Sequence, residues 1–254
     1  MAVQKSLTLL VVLSGRDGMV LACDSRGTFG DPRGATAQND TMRKLFHTSK
    51  YSGIMLSGIA PLGSQLMTEV ITKVKAGKLE GVTPVMDTAI ATFRARYDEW
   101  FPNFLPQQIQ GVPAPVRPAL HALTAGYDVD QSGNAVDQKM YSTVSELNFA
   151  PMLHDYGFCV EGVGQYALYL LNRLYEPKSK VSELQALAAY VITETASQDG
   201  KVGGPIQMMT ITPPGGCAPL SPKKIAKVIE VNHQRAGFLK YTFFNRTGRS
   251  RGVK

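Results

Sequence analysis

Two short runs, "TLLVVLS" (residues 8–14) and "MVLACD" (19–24), limit this chain more than anything else in its sequence. They flank "GRDG", a turn signal with glycine at both ends, and together predict a β-hairpin. Neither run alternates apolar with polar residues. Both faces of the hairpin must therefore be covered by other layers. The second run passes directly into Asp24, Ser25 and Arg26, an acid and a base at the end of a buried strand. Such a placement marks either a charged turn or a site.

The remaining pattern predicts the covering layers. Residues 28–40, with Gly, Pro, Asp and Asn and no period, read as a loop. "KLFHT" and "GIMLSGIA" read as a strand pair around "SKYS". Leu62, Leu66, Val70 and Val74 fall four apart and predict a helix with one buried stripe, and a second helix runs from Val85 to about Trp100. Residues 101–119 hold five prolines and read as a surface excursion. Strands are predicted over 120–128, 135–144 and 156–162. Helices follow on Leu168, Leu171 and Tyr175 and on Val181, Leu184, Leu187 and Val191. "IQMMTIT" (206–212) predicts a last strand, and Ser221 with Pro222 opens a last helix. Strand runs separated by helix pairs imply an α+β protein: two mostly antiparallel sheets packed together, with helices outside.

A length of 254 residues with 44% hydrophobic content fits one domain, here residues 1–244, followed by a basic tail at 245–254. The net charge of +7 owes part of its excess to that tail, which has no aromatic residue. Nucleic-acid binding is therefore not expected. Cys23, Cys159 and Cys217 show no ligand or disulfide spacing and read as reduced thiols of a soluble, cytoplasmic protein. The four histidines lie far apart and show no metal spacing. The apolar run near residue 8 is too short to span a membrane.

"TLLVVLSGRDGMVLACDSRGT" resembles the opening of the proteasome β-type subunits: a threonine, a short strand, a glycine turn, an apolar strand, then Asp-Ser-Arg. "TMRKLFHT", "LTAGYD", "VEGVGQYALYLL" and "SQDGKVGGPIQMMTI" are similar to four later signatures, in the family's order, up to residue 212. The resemblance implies the four-layer αββα sandwich of N-terminal-nucleophile hydrolases and assembly of copies into a ring. It also implies a peptide or unfolded-protein substrate, and a partner ring or unfoldase. No metal or organic cofactor is implied.

In that family the first residue of the mature chain, a threonine, is the nucleophile, and its own α-amine is the base. A free α-amine titrates near 8 and so accepts a proton at cellular pH. The resemblance assigns the nucleophile to Thr8, the lysine that steadies the alkoxide to Lys44, the orienting acid to Asp24 and a second acid to Asp199. Arg26, Gly203 and Gly204 are assigned as supports. Read without the resemblance, Lys44 competes with neighbouring Arg43, Asp24 could simply pair with Arg26, and Asp199 reads as a turn residue. Three positions depart from the family. Val163 and Val202 stand where it has serines, and valine can neither accept nor relay a proton. Leu7 stands where self-processing members have glycine. While Leu7–Thr8 is intact, the nitrogen of Thr8 is an amide and carries no basic lone pair. These departures keep two alternatives beside the peptidase: a non-catalytic subunit of the same fold, and an amidohydrolase or transpeptidase acting on one small amide.

Overall fold

The computed structural model describes residues 8–30, 36–102 and 117–244. Most of the 101–119 excursion, the 245–254 tail and Leu7 lie outside the described residues.

The hairpin forms as its sequence predicts. Strand β1 (Leu9–Ser14) pairs antiparallel with β2 (Met19–Cys23), and every residue of β2 is buried. The GRDG turn also has a second task. Asp17 Oδ1 accepts a hydrogen bond of 2.7 Å from the amide of Val181, at the start of a helix far along the chain. After a short pair, β3 (Gly27–Gly30) and β4 (Thr36–Asn39), the chain forms β5 (Leu45–Ser49) and β6 (Ser52–Gly58). Helices α1 (Ala60–Ala76) and α2 (Val82–Trp100) follow. Next come β7 (Leu120–Val129), β8 (Ala135–Val144), β9 (Met152–His154) and β10 (Phe158–Gly162). The chain ends with α3 (Gly164–Leu174), α4 (Val181–Gln198), β11 (Gln207–Thr212), β12 (Gly216–Pro219) and α5 (Pro222–Phe244).

The protein is α+β, with two five-stranded antiparallel sheets. One has the order β10-β1-β2-β11-β12, the other β5-β6-β7-β8-β9. The apolar continuity of β1 has a direct cause. Leu10 and Val12 pack toward the second sheet, against Met55, Leu123 and Tyr127. Leu9, Val11 and Leu13 pack the other way, against Leu171, Leu184 and Ile192 of α3 and α4. On the far side of the second sheet, Ile54, Leu56 and Ala122 meet Leu66, Val70 and Phe93 of α1 and α2. Each sheet thus has apolar residues on both faces. The stripe Leu66, Val70, Val74 is buried along α1, with Leu62 packed at its edge.

Three expectations are corrected. Residues 28–40 are not wholly loop, because Gly27–Gly30 pairs with Thr36–Asn39. That ladder is held by backbone, and Ala37, Gln38 and Asn39 are exposed, so no apolar alternation announces it. On α3 the buried residues are Ala167 and Leu171, whereas Leu168 is 43% exposed and faces outward. The short strands β9 and β12 add edges to the sheets. Pro219 lies at the end of β12, an edge position where a missing amide hydrogen removes no ladder bond. Among the described residues no helix is long and apolar enough to cross a membrane.

A polar bridge joins the sheets at one end. His121 on β7 reaches Glu161 on β10 at 2.7 Å and Glu146 at 3.0 Å. Burial opposes its charge, but the hydrogen bonds and charges of Glu146 and Glu161 outweigh that and push its pKa from 6.5 up to about 9. A group whose folded pKa is raised stabilises fully below its unfolded value and loses that contribution as pH rises through the folded one. The stability difference between the wild type and His121→Phe, measured by urea denaturation, should be greatest below about pH 6.5. It should fall steadily as pH passes about 9. A difference independent of pH over this range would show that the bridge carries no charge.

Candidate active site

The open end of the first sheet gathers Thr8, Asp24 and Lys44 from three segments. Thr8 immediately precedes β1, Asp24 follows β2, and Lys44 precedes β5. All three are buried: Thr8 is 3% exposed, Asp24 0% and Lys44 8%. Lys44 Nζ pairs with Asp24 Oδ1 at 2.8 Å and donates to the carbonyl of Arg26 at 2.6 Å. The Thr8 hydroxyl donates to Asp24 Oδ1 and accepts from Lys44 Nζ. The Thr8 carbonyl is fixed by the amide of Val163 at 2.7 Å.

Asp24 is the centre of this cluster. Its Oδ1 also accepts from the amide of Leu9 at 3.0 Å, and its Oδ2 accepts from the amides of Arg26 at 3.0 Å and Gly203 at 3.1 Å. A buried carboxylate is tolerable only when charge and donors surround it in this way. The acid at the end of the buried strand therefore has partners in four separate stretches of chain.

Arg26 does not pair with Asp24 through its side chain. Its guanidinium grips Asp40 bidentately, Nε to Oδ1 at 2.7 Å and Nη2 to Oδ2 at 2.8 Å, and reaches the carbonyl of Gly200 at 3.0 Å. The hydrogen bond from Arg26 holds the Asp40 carboxyl below the usual range. Gly203 lies under this guanidinium, where an added Cβ would come within 2.5 Å of Arg26 Cζ. Gly204 has φ +71°, and an added Cβ there would come within 2.8 Å of Asp40 Cβ. Both glycines are thus required by close approach, and Gly204 by its backbone angle as well. Asp199 makes no hydrogen bond to Thr8, Asp24 or Lys44. It caps the end of α4, and its Oδ1 accepts from the amide of Lys201 at 2.9 Å. Its carbonyl accepts from Val202, in the turn that presents Gly203 to Asp24.

Burial separates the competing neighbours Lys44 and Arg43, since Lys44 is inside and Arg43 is exposed. Two residues that sequence reasoning missed secure the site. One is Asp40. The other is Gln207, whose Oε1 accepts from the amides of Lys44 at 3.1 Å and Leu45 at 3.2 Å. Its Nε2 donates to Ser25 Oγ at 2.9 Å and to the carbonyl of Met42 at 2.6 Å. A glutamine opening a mostly buried strand was the signal for Gln207. Val202 is fully buried, and Val163 is packed against the helix-side core, so neither offers a polar group to the cluster. Thr8 and Lys44 line a cavity of about 250 Å³ with Phe46, Leu56 and Pro61. Among the described residues no group of three or more His, Cys, Asp or Glu side chains is placed to hold a metal ion.

Replacing Asp24 by Ala leaves the Lys44 ammonium buried without its counter-charge, and should cost about 3–5 kcal/mol in urea denaturation. Adding Lys44→Met should recover part of that loss. A single variant as stable as the wild type would show that the pair contributes nothing to folding.

No model of a known protein family matches the chain. Two curated proteins do, and both are named proteasome subunit beta. The one from Saccharopolyspora erythraea is 28% identical over 209 residues, 78% of this chain and 65% of its own length. The one from Gordonia bronchialis is 25% identical over 210 residues, 81% of this chain and 66% of its own length. The chain thus spans just under two thirds of the length of these curated relatives. At this level of identity the chain is similar to proteasome β subunits and divergent from them.

Proposed function

We propose that this chain is a threonine peptidase of the proteasome type, with the Thr8 hydroxyl as nucleophile. The observation that carries this reading is the contact of the Thr8 hydroxyl with both Asp24 and Lys44 beside a cavity. In the proposed reaction, cleavage of Leu7–Thr8 first frees the α-amine. That amine takes the proton of the Thr8 hydroxyl as the oxygen attacks a peptide carbonyl carbon. The ammonium of Lys44, held by Asp24, favours the negatively charged oxygen. The proton then passes to the leaving amine as the peptide bond breaks. A water molecule hydrolyses the resulting ester and restores the free hydroxyl. Arg26, Gly203, Gly204 and Asp199 act at a distance, by fixing the turn that places Gly203 on Asp24.

The same reading takes the two sheets and their helices as the αββα sandwich. Residues 1–244 form one domain bearing the 101–119 excursion, and 245–254 form a tail. Copies assemble into a cytoplasmic ring that admits peptides or unfolded protein, with a partner ring or unfoldase. The reaction uses no metal or organic cofactor. A second reading, a non-catalytic subunit of such a ring, is favoured by Val163 and Val202, which leave the proposed base without side-chain hydrogen bonds.

The intact mass of the purified protein discriminates between these readings. Loss of residues 1–7 and covalent labelling by a threonine-directed inhibitor, both in the wild type, with no labelling of Thr8→Ala, are expected of the peptidase. A full-length, unreactive chain would favour the subunit reading. A particle of monomer mass on sizing would count against the ring.

A further inference from the structure

The cavity beside Thr8 has an unusual charge inventory. No carboxylate side chain lines it among the described residues. Four of its lining residues are basic: Arg26, Arg43, Lys44 and His121. Three of these are already paired. Arg26 is held by Asp40, Lys44 by Asp24, and His121 by Glu146 and Glu161. Arg43 is not. Its Nε donates to the carbonyl of Leu45 at 3.3 Å and its guanidinium lies 4.8 Å from the centre of the Phe46 ring, but it makes no ion pair among the described residues. Stacking on Phe46 holds the planar group at the cavity wall while leaving its remaining N–H groups free.

A separate observation agrees. The hydroxyls of Thr28 and Ser57, both lining this cavity, have no hydrogen-bond partner among the described residues. Ser57 is 5% exposed. A guanidinium only donates and a hydroxyl can donate, and the peptide group that satisfies such donors while balancing an unpaired cation is a side-chain carboxylate. Arg43 also borders a neighbouring groove, where Lys50, Lys75 and Lys78 face a single acid, Glu80. The positive field thus extends beyond the cavity and attracts acidic segments toward it.

We propose that this cavity selects peptides that place an Asp or Glu side chain in it, with Arg43 as the specificity-determining residue. The inference rests on the peptidase reading for its consequence, cleavage next to an acidic residue. Its test measures binding, so that the two readings fail separately.

Fluorescent peptide amides of one sequence, ending in Glu, Gln, Leu or Lys, would be titrated against the full chain by anisotropy. The titrations would be run in the wild-type and Thr8→Ala backgrounds. The Glu peptide should bind about two- to fivefold more tightly than the Gln peptide, the range expected of one exposed ion pair. That preference should fall to near one in Arg43→Gln, persist in part in Arg43→Lys and shrink with added salt. Tightest binding of the Leu or Lys peptide, an unchanged preference in Arg43→Gln, or binding of no peptide would each overturn the proposal. Inhibitor labelling of Thr8 is read independently. A Glu preference without labelling would retain the acidic site and remove the peptidase. Labelling with a Leu preference would do the reverse.

Discussion

Everything at the open end of this molecule depends on one carboxylate. Asp24 is fully buried and accepts from a hydroxyl, an ammonium and three backbone amides. Those donors come from the start of β1, the segment after β2, the approach to β5 and the turn before β11. The same segments are also tied by Gln207, which bonds Ser25, Met42, Lys44 and Leu45, and by Arg26, which bonds Asp40 and Gly200. Coulomb attraction in a dry environment is strong, and so is the cost of leaving one partner unmatched. The arrangement therefore forms as a unit, and the hydroxyl of Thr8 is held by the same atoms that hold the fold.

Legibility in the sequence followed burial. The hairpin and α1 could be read because two-sided or striped burial forces a visible apolar pattern, as in Leu9–Leu13 and in Leu66, Val70 and Val74. The β3–β4 pair could not, because its ladder depends on backbone and leaves Gln38 and Asn39 in water. Leu168 misled for the opposite reason, being an apolar residue on an outward face. At the site, the family resemblance pointed to Thr8, Asp24 and Lys44. It did not point to Asp40 or Gln207, whose partners lie up to 182 residues away. Long-range partners of polar residues leave no periodic trace.

The valines at 163 and 202 show how packing and chemistry compete for one position. Val202 is buried among residues of the helix-side core, and Val163 packs against the same cluster. Their backbone work continues nonetheless. The amide of Val163 holds the carbonyl of Thr8, and that of Val202 closes the turn leading to Gly203. At both positions the main chain serves the site while the side chain serves the core.

The two turns of the paired sheets differ in a way that matters to anyone who modifies this protein. The tip between β1 and β2 is tied down, with Asp17 capping α4 and an added Cβ on Gly15 meeting the carbonyl of Ser179 at 2.5 Å. The tip between β7 and β8 is open: no described atom lies within 4 Å of the Cβ that Gly133 would carry, although its φ of +79° favours keeping glycine at that one position. A fluorophore, affinity handle or inserted peptide belongs at the second tip. At the first it would pull a helix from its seat.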